Sequence, residues 1–74
     1  MSNVVIKSRD DCKFCYDAKG FLTGMEVSYT EEYQPYGTVP EIFVNGISIG
    51  GYEDLVSLSQ TQSEWDATFN VETN

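Results

Sequence analysis

Apolar residues recur along this chain with two different periods, and the switches between them mark its elements. In Asn3–Lys7, Val4 and Ile6 point to one face and Val5 to the other. Both faces are apolar, the pattern of a central strand covered on both sides. Ser8–Asp11 reads as a loop. Phe14, Cys15, Ala18, Phe21 and Leu22 then fall at helical spacing and predict a helix from about Cys12 to Thr23. Gly20 inside it costs roughly 1 kcal/mol relative to alanine. Gly24 is a natural left-handed stop, and the Asp11 carboxylate is placed to cap the start. Met25–Thr30 alternates, with Met25, Val27 and Tyr29 against Glu26, Ser28 and Thr30, and predicts an edge strand.

Glu31–Gly37 is a polar loop carrying Pro35. Thr38-Val39-Pro40 leads into a strand, Glu41–Val44, and Asn45-Gly46 separates it from another, Ile47–Ile49. An Asn-Gly pair between two such runs is a strong hairpin signal, because both turn residues need positive φ. Gly50-Gly51 breaks the strand. Tyr52–Gln60 predicts a second helix, with Tyr52, Leu55, Val56 and Ser59 on one face, Leu58 near it, and Glu53 and Asp54 in the first turn where negative charge is favoured. In Thr61–Asn74, Ser63 and Asp66 resemble a capping pair, Trp65 and Phe69 share a helical face, and Val71–Asn74 reads as a loose end. No internal repeat or low-complexity segment interrupts what reads as one domain over residues 1–74.

The candidate chemistry lies in Cys12-Lys13-Phe14-Cys15, which holds both cysteines of the chain. A sulfur at a helix start faces unpaired backbone N–H groups, which favour thiolate over thiol. Such cysteines titrate at about 3.5–7.5 rather than at the free value near 8.5. Cys15, one turn further in, is expected to be less accessible and placed to attack a mixed disulfide on Cys12. The pair is thus a candidate nucleophile and resolving thiol. Lys13 favours the thiolate, as does Arg9, while Asp10 and Asp11 oppose it. Two plainer readings stand beside this one: inert buried cysteines, or two ligands of a metal site that normally needs four.

Composition narrows the class. Seventy-four residues with ten aromatics and 41% hydrophobic content argue for a single folded domain near the lower size limit. Two cysteines are too few for a secreted disulfide scaffold. No basic segment leads into an apolar run, so a secretory leader is not expected, and no stretch approaches the roughly 20 apolar residues of a membrane span. The expected location is the cytoplasm, or the host's cytoplasm for a viral chain. A net charge of −8 disfavours nucleic acid and anionic membranes as partners. The absence of histidine removes the commonest metal ligand and the usual general base.

Strand, helix, strand, hairpin, helix is a thioredoxin-like frame, and four ordered motifs make the resemblance specific. Cys12-Lys13-Phe14-Cys15-Tyr16-Asp17-Ala18-Lys19, Thr38-Val39-Pro40, Ile42–Gly46 and Ile49–Leu55 together resemble a glutaredoxin. The resemblance implies an α/β fold with a four-stranded mixed sheet in βαβ-ββα order. It also implies that the usual helix between the second and third strands is replaced by a short loop, since Glu31–Gly37 is too short to hold it. It assigns Cys12 as nucleophile, Cys15 as resolving thiol and glutathione as reductant, with no metal. Its implied glutathione contacts are Arg9 for the glycyl carboxylate, Lys13 and Phe14 beside the cysteines, Thr38 and Val39 with a cis Pro40, and Gly51, Tyr52, Glu53 and Asp54 for the γ-glutamyl end. Lys13 and Phe14 replace the family's usual Pro-Tyr.

The expected activity is reduction of protein or glutathione mixed disulfides by a chain that is monomeric or weakly dimeric. The alternatives are an electron donor of the same fold reduced by a flavoprotein reductase, for example one serving ribonucleotide reductase; a non-catalytic iron–sulfur carrier; and an inactive interaction module. Losing the helix is expected to bare apolar sheet surface, and Trp65 and Phe69 are expected to cover it.

Overall fold

A computed structural model of the chain describes residues 3–69. It contains β1 (Val4–Ser8), α1 (Lys13–Gly24), β2 (Thr30–Tyr33), β3 (Glu41–Val44), β4 (Ile47–Gly50), α2 (Tyr52–Ser59) and α3 (Gln62–Phe69). The expected loose end at Val71–Asn74 lies outside the described residues. The four strands form one mixed sheet in the order β2-β1-β3-β4, with β1 parallel to β2 and the other pairs antiparallel. This is the thioredoxin-like α/β fold that the sequence implies, and residues 34–40 between β2 and β3 contain no helix. Asn45 and Gly46 adopt φ of 54° and 83°, as a tight hairpin between β3 and β4 requires.

β1 is central but covered by helices on one face only, which corrects the expectation of two covered faces. Val4, Ile6 and Ser8 are buried while Val5 and Lys7 are half-buried. Val4 and Ile6 join Ile42, Val44, Ala18, Leu22, Leu55, Trp65 and Phe69 in one core cluster that draws on all three helices. Trp65 and Phe69 therefore pack on the same sheet face as α1 and α2, and do not cover the face that the missing helix leaves open. On that open face Val5 pairs with Phe43 and Lys7 with Glu41. Lys7 extends its ammonium 5.5 Å from the Phe43 ring centroid and 3.7 Å from Glu32 Oε1. A long cationic stem laid over an aromatic ring shields apolar surface without a helix.

Several boundaries differ from the sequence pattern, and those of the first helix and the second strand have a local reason. The first helix begins at Lys13 with Cys12, not Asp11, as its N-cap. It does not turn left-handed at Gly24. Glu26 takes that conformation at φ 61°, while the Glu26 amide bonds to the Thr23 carbonyl at 3.0 Å and the Val27 amide to the Leu22 carbonyl at 2.9 Å. That pair of bonds is a Schellman closure. The chain is still turning through these residues, so the second strand cannot begin at Met25. Val27 and Tyr29 pack against the core as their alternation suggests, but pairing with β1 begins only at Thr30 opposite Val5. The edge strand is Thr30–Tyr33, exposed along its length.

Ser8, read as loop, is a buried strand residue because a partner reaches it. Its hydroxyl donates to Glu31 Oε2 at 2.6 Å, and Lys19 Nζ donates to the same oxygen at 2.7 Å. One carboxylate thus ties β1, β2 and α1 together. The Lys19 and Ser8 hydrogen bonds hold the Glu31 carboxyl below its usual value, and the bond to Glu31 raises the Lys19 ammonium. A lowered carboxyl stabilises the fold above the unfolded-state value and loses that contribution as pH falls through the folded-state value. Both groups are partly exposed, so the contribution is within about 1 kcal/mol. Glu31→Gln is expected to lower the melting temperature by a few degrees at neutral pH, with the deficit closing below about pH 4. Melting curves against pH check this, and a deficit that persists undiminished to pH 3 contradicts it.

Candidate active site

Cys12 and Cys15 are joined as a disulfide, with Cα atoms 5.2 Å apart. The strand-to-helix junction sets this geometry. Cys12 is extended at φ −116° and ψ 107°, and its Sγ accepts the Cys15 backbone N–H at 3.0 Å. A sulfur held as the N-cap receives N–H dipoles that stabilise negative charge. No acidic residue in the first turn of α1 opposes it from the helix itself. Asp10, Asp11 and Lys13 are all exposed. The two sulfurs differ in access: Cys15 is fully buried, whereas Cys12 is only half-buried.

Cys12 Sγ lies 3.7 Å from the carbonyl oxygen of Val39. Val39 belongs to the turn that crosses the end of β1, and the Val39–Pro40 peptide bond is cis. Beside the sulfur opens a groove of about 450 Å³ lined by Phe14, Gln34, Thr38, Val39, Pro40, Glu41 and the segment Gly50–Asp54. Phe14 and Tyr52, both in its lining, stack with ring centroids 6.0 Å apart. The start of α2 is part of its lining. Gly51 is the N-cap, and its amide donates to Asp54 Oδ2 at 3.0 Å. The first-turn amides beyond it have no partner within the helix, an arrangement that suits an anion. Glu53 is exposed beside them. Gly50 must remain glycine here: its φ is +105°, and an added Cβ would come within 2.9 Å of Asp54 Cβ and closer still to the carboxylate.

Of the residues that the sequence nominates, Phe14, Thr38, Val39, Pro40, Gly51, Tyr52, Glu53 and Asp54 line this groove, and Cys12 and Cys15 sit beside it. Arg9 and Lys13 are not among the lining residues. Arg9 donates from Nη1 to the Pro35 carbonyl at 2.9 Å and from Nη2 to the Gly37 carbonyl. Gln34, Glu41 and Gly50 line the groove without having been singled out. The positive φ of Gly50 was foreshadowed by the Gly-Gly break, but nothing in the pattern marks Gln34 or Glu41. Among the described residues no three of the Cys, Asp and Glu side chains are grouped to hold a metal ion. No helix among them is long and apolar enough to cross a membrane.

A buried and an accessible sulfur in C-x-x-C spacing, at the end of a central strand and opposite a cis-proline turn, define a dithiol protein of the thioredoxin-like class. No family model matches the chain. Glutaredoxin 3 of Escherichia coli strain K12 is 32% identical in an alignment 72 residues long that covers 78% of this chain and 87% of that protein. The holo form of glutaredoxin C1 from Populus tremula x tremuloides superposes with a TM-score of 0.78 at 26% identity, covering 90% of this chain and 82% of that one. A buckwheat glutaredoxin–glutathione complex shares the fold, with a TM-score of 0.79 at 16% identity over 93% of this chain and 77% of that one. The chain belongs to the glutaredoxin family. Its Cys12/Cys15 pair is that of a glutaredoxin-like thiol-disulfide oxidoreductase.

Proposed function

We propose that the chain reduces glutathione mixed disulfides and protein disulfides, with glutathione as its reductant. The observation that carries the reading is the position of the Cys12 sulfur, half-buried on a helix N-cap beside a groove walled by Thr38–Pro40 and Gly51–Asp54. The groove volume is within the range of small-ligand sites. The Val39 backbone suits pairing with an extended peptide. The start of α2 suits an α-carboxylate, and Glu53 suits an α-amine. That a glutaredoxin of this fold has been solved with glutathione supports the same reading.

The Cys12 thiolate attacks the glutathionyl sulfur of a mixed disulfide, and the substrate thiolate leaves and takes up a proton. A second glutathione thiolate then attacks the Cys12-bound sulfur, which releases glutathione disulfide and restores Cys12. With a protein disulfide, Cys15 attacks the mixed disulfide on Cys12. The substrate leaves as a dithiol, and two glutathione molecules reopen the Cys12–Cys15 bond. Such a cycle belongs in a reducing compartment, and a cytoplasmic location is part of the proposal.

The test is turnover of a small glutathione mixed disulfide, coupled to glutathione and glutathione reductase. Wild-type protein is expected to turn over at 1 s⁻¹ or faster, the lower end of typical enzymes at about 1–10³ s⁻¹. No turnover with glutathione, but reduction when a flavoprotein reductase supplies the electrons, would replace this reading with that of a thioredoxin-like electron donor.

A further inference from the structure

We propose that Arg9 is a positioning residue: its guanidinium straps down the crossover between β2 and β3 and so holds the Val39 backbone edge opposite Cys12. The topology creates the need. β2 and β3 flank β1, so the chain from Tyr33 to Glu41 must pass over the end of β1. Tyr33 pairs with Ser8 and Glu41 with Lys7, which puts Arg9, the next residue, directly beneath the crossing. The crossing segment has little of its own to hold it. Pro35 and Pro40 lack an N–H. The Gln34 amide bonds to the Ser8 carbonyl at 2.8 Å, and among the described residues 35–39 form no backbone–backbone hydrogen bond.

Arg9 supplies what is missing. Its two terminal nitrogens donate to the carbonyls of Pro35 and Gly37, two residues apart. A planar fork with fixed donors can hold two carbonyls at once, which a single ammonium on a flexible stem does not do in the same geometry. Among the described residues Arg9 forms no ion pair and does not line the groove. The strapped segment then runs straight into Val39, whose carbonyl lies 3.7 Å from Cys12 Sγ. Where a helix would otherwise rigidify this crossover, one side chain does so. The consequence for peptide pairing at Val39 rests on the proposed function; the strap itself does not.

The experiment compares wild type, Arg9→Lys and Arg9→Ala. In ¹⁵N relaxation, Tyr36–Val39 are expected to be as rigid as the strands in wild type, with order parameters near 0.85, and to fall below about 0.6 in both variants. Unchanged order parameters in both variants overturn the strap, whatever the substrate is. In turnover of a glutathione mixed disulfide, both variants are expected to raise KM about tenfold with kcat within about twofold. The same factor is expected when the glycyl carboxylate is esterified. A penalty that vanishes on the ester, with Arg9→Lys behaving as wild type, overturns it in favour of direct contact with the carboxylate. If wild type does not turn over glutathione substrates at all, the proposed function falls and the relaxation measurement still decides the strap.

Discussion

Cys12→Ser is expected to lower turnover of a glutathione mixed disulfide by on the order of 10³-fold or more, whereas Cys15→Ser retains about a tenth or more of the activity. The asymmetry follows from the different surroundings of two sulfurs three residues apart. Cys15 has no exposed surface, so an incoming disulfide cannot reach it while the helix is intact. Cys12 is accessible, and its sulfur takes the N–H of Cys15 at 3.0 Å. Negative charge on that sulfur is stabilised before any substrate arrives. Serine keeps the cap hydrogen bond and the helix but is far too weak a nucleophile at neutral pH, so the loss is chemical rather than structural. Removing Cys15 leaves a route open: once the glutathionyl group is on Cys12, a second glutathione can resolve it without an internal thiol. Steady-state kinetics on the two variants check this. Activity that survives Cys12→Ser would reverse the assignment of nucleophile. Equal loss in both variants would mean that release runs only through the internal disulfide, as in a donor to protein disulfides.

The redox pair, the proline turn and the hairpin were legible because their chemistry is local. Two cysteines at C-x-x-C spacing, a proline before a β-branched run and an Asn-Gly pair each state a backbone requirement within a few residues. The core was legible for a related reason. Val4, Ile6, Ile42 and Val44 are alternate positions on two strands, and all four are buried. What the sequence concealed depends on partners far away. Ser8 and Glu31 are 23 positions apart, and only their hydrogen bond makes a buried serine tolerable. Arg9 reads as a cation suited to a substrate carboxylate, and only the fold brings its guanidinium to the carbonyls 26 and 28 positions on. The edge strand was placed five residues too early because Thr30–Tyr33 is exposed along its length, so no hydrophobic period marks it. At Val27 and Tyr29 the alternation reported packing, not pairing, while Met25 stays exposed. Hydrophobic alternation marks which residues face the core, and says nothing of where the ladder of backbone hydrogen bonds begins.

Trp65→Ala is expected to remove most of the stability of the domain. The residue is 2% exposed, its ring centroid is 4.3 Å from that of Phe69 and 5.9 Å from that of Phe21, and it sits in the single core cluster. Emptying such a site costs about 3–5 kcal/mol. A domain of this size holds roughly 4–11 kcal/mol in total, at about 0.05–0.15 kcal/mol per residue. The α3 helix has eight residues, too few to be stable alone in water. Its helical state therefore depends on the burial that Trp65 and Phe69 supply. The expected result is a melting temperature lowered by more than about 10 °C, read by far-UV circular dichroism because the variant lacks the chain's one tryptophan. Truncation after Gln60 removes both aromatics and is expected to be at least as damaging. The effect reaches the groove as well. Phe21 contacts both Trp65 and, at 6.4 Å between centroids, Tyr52, which stacks on Phe14 beside the redox pair. At a temperature where Trp65→Ala is still folded, KM for a glutathione substrate is expected to rise severalfold while the rate of Cys12 alkylation stays within about twofold, because the wall loosens but the N-cap does not. A melting temperature within about 3 °C of wild type would show that α3 is a dispensable appendage, and that the sheet, α1 and α2 close the core without it.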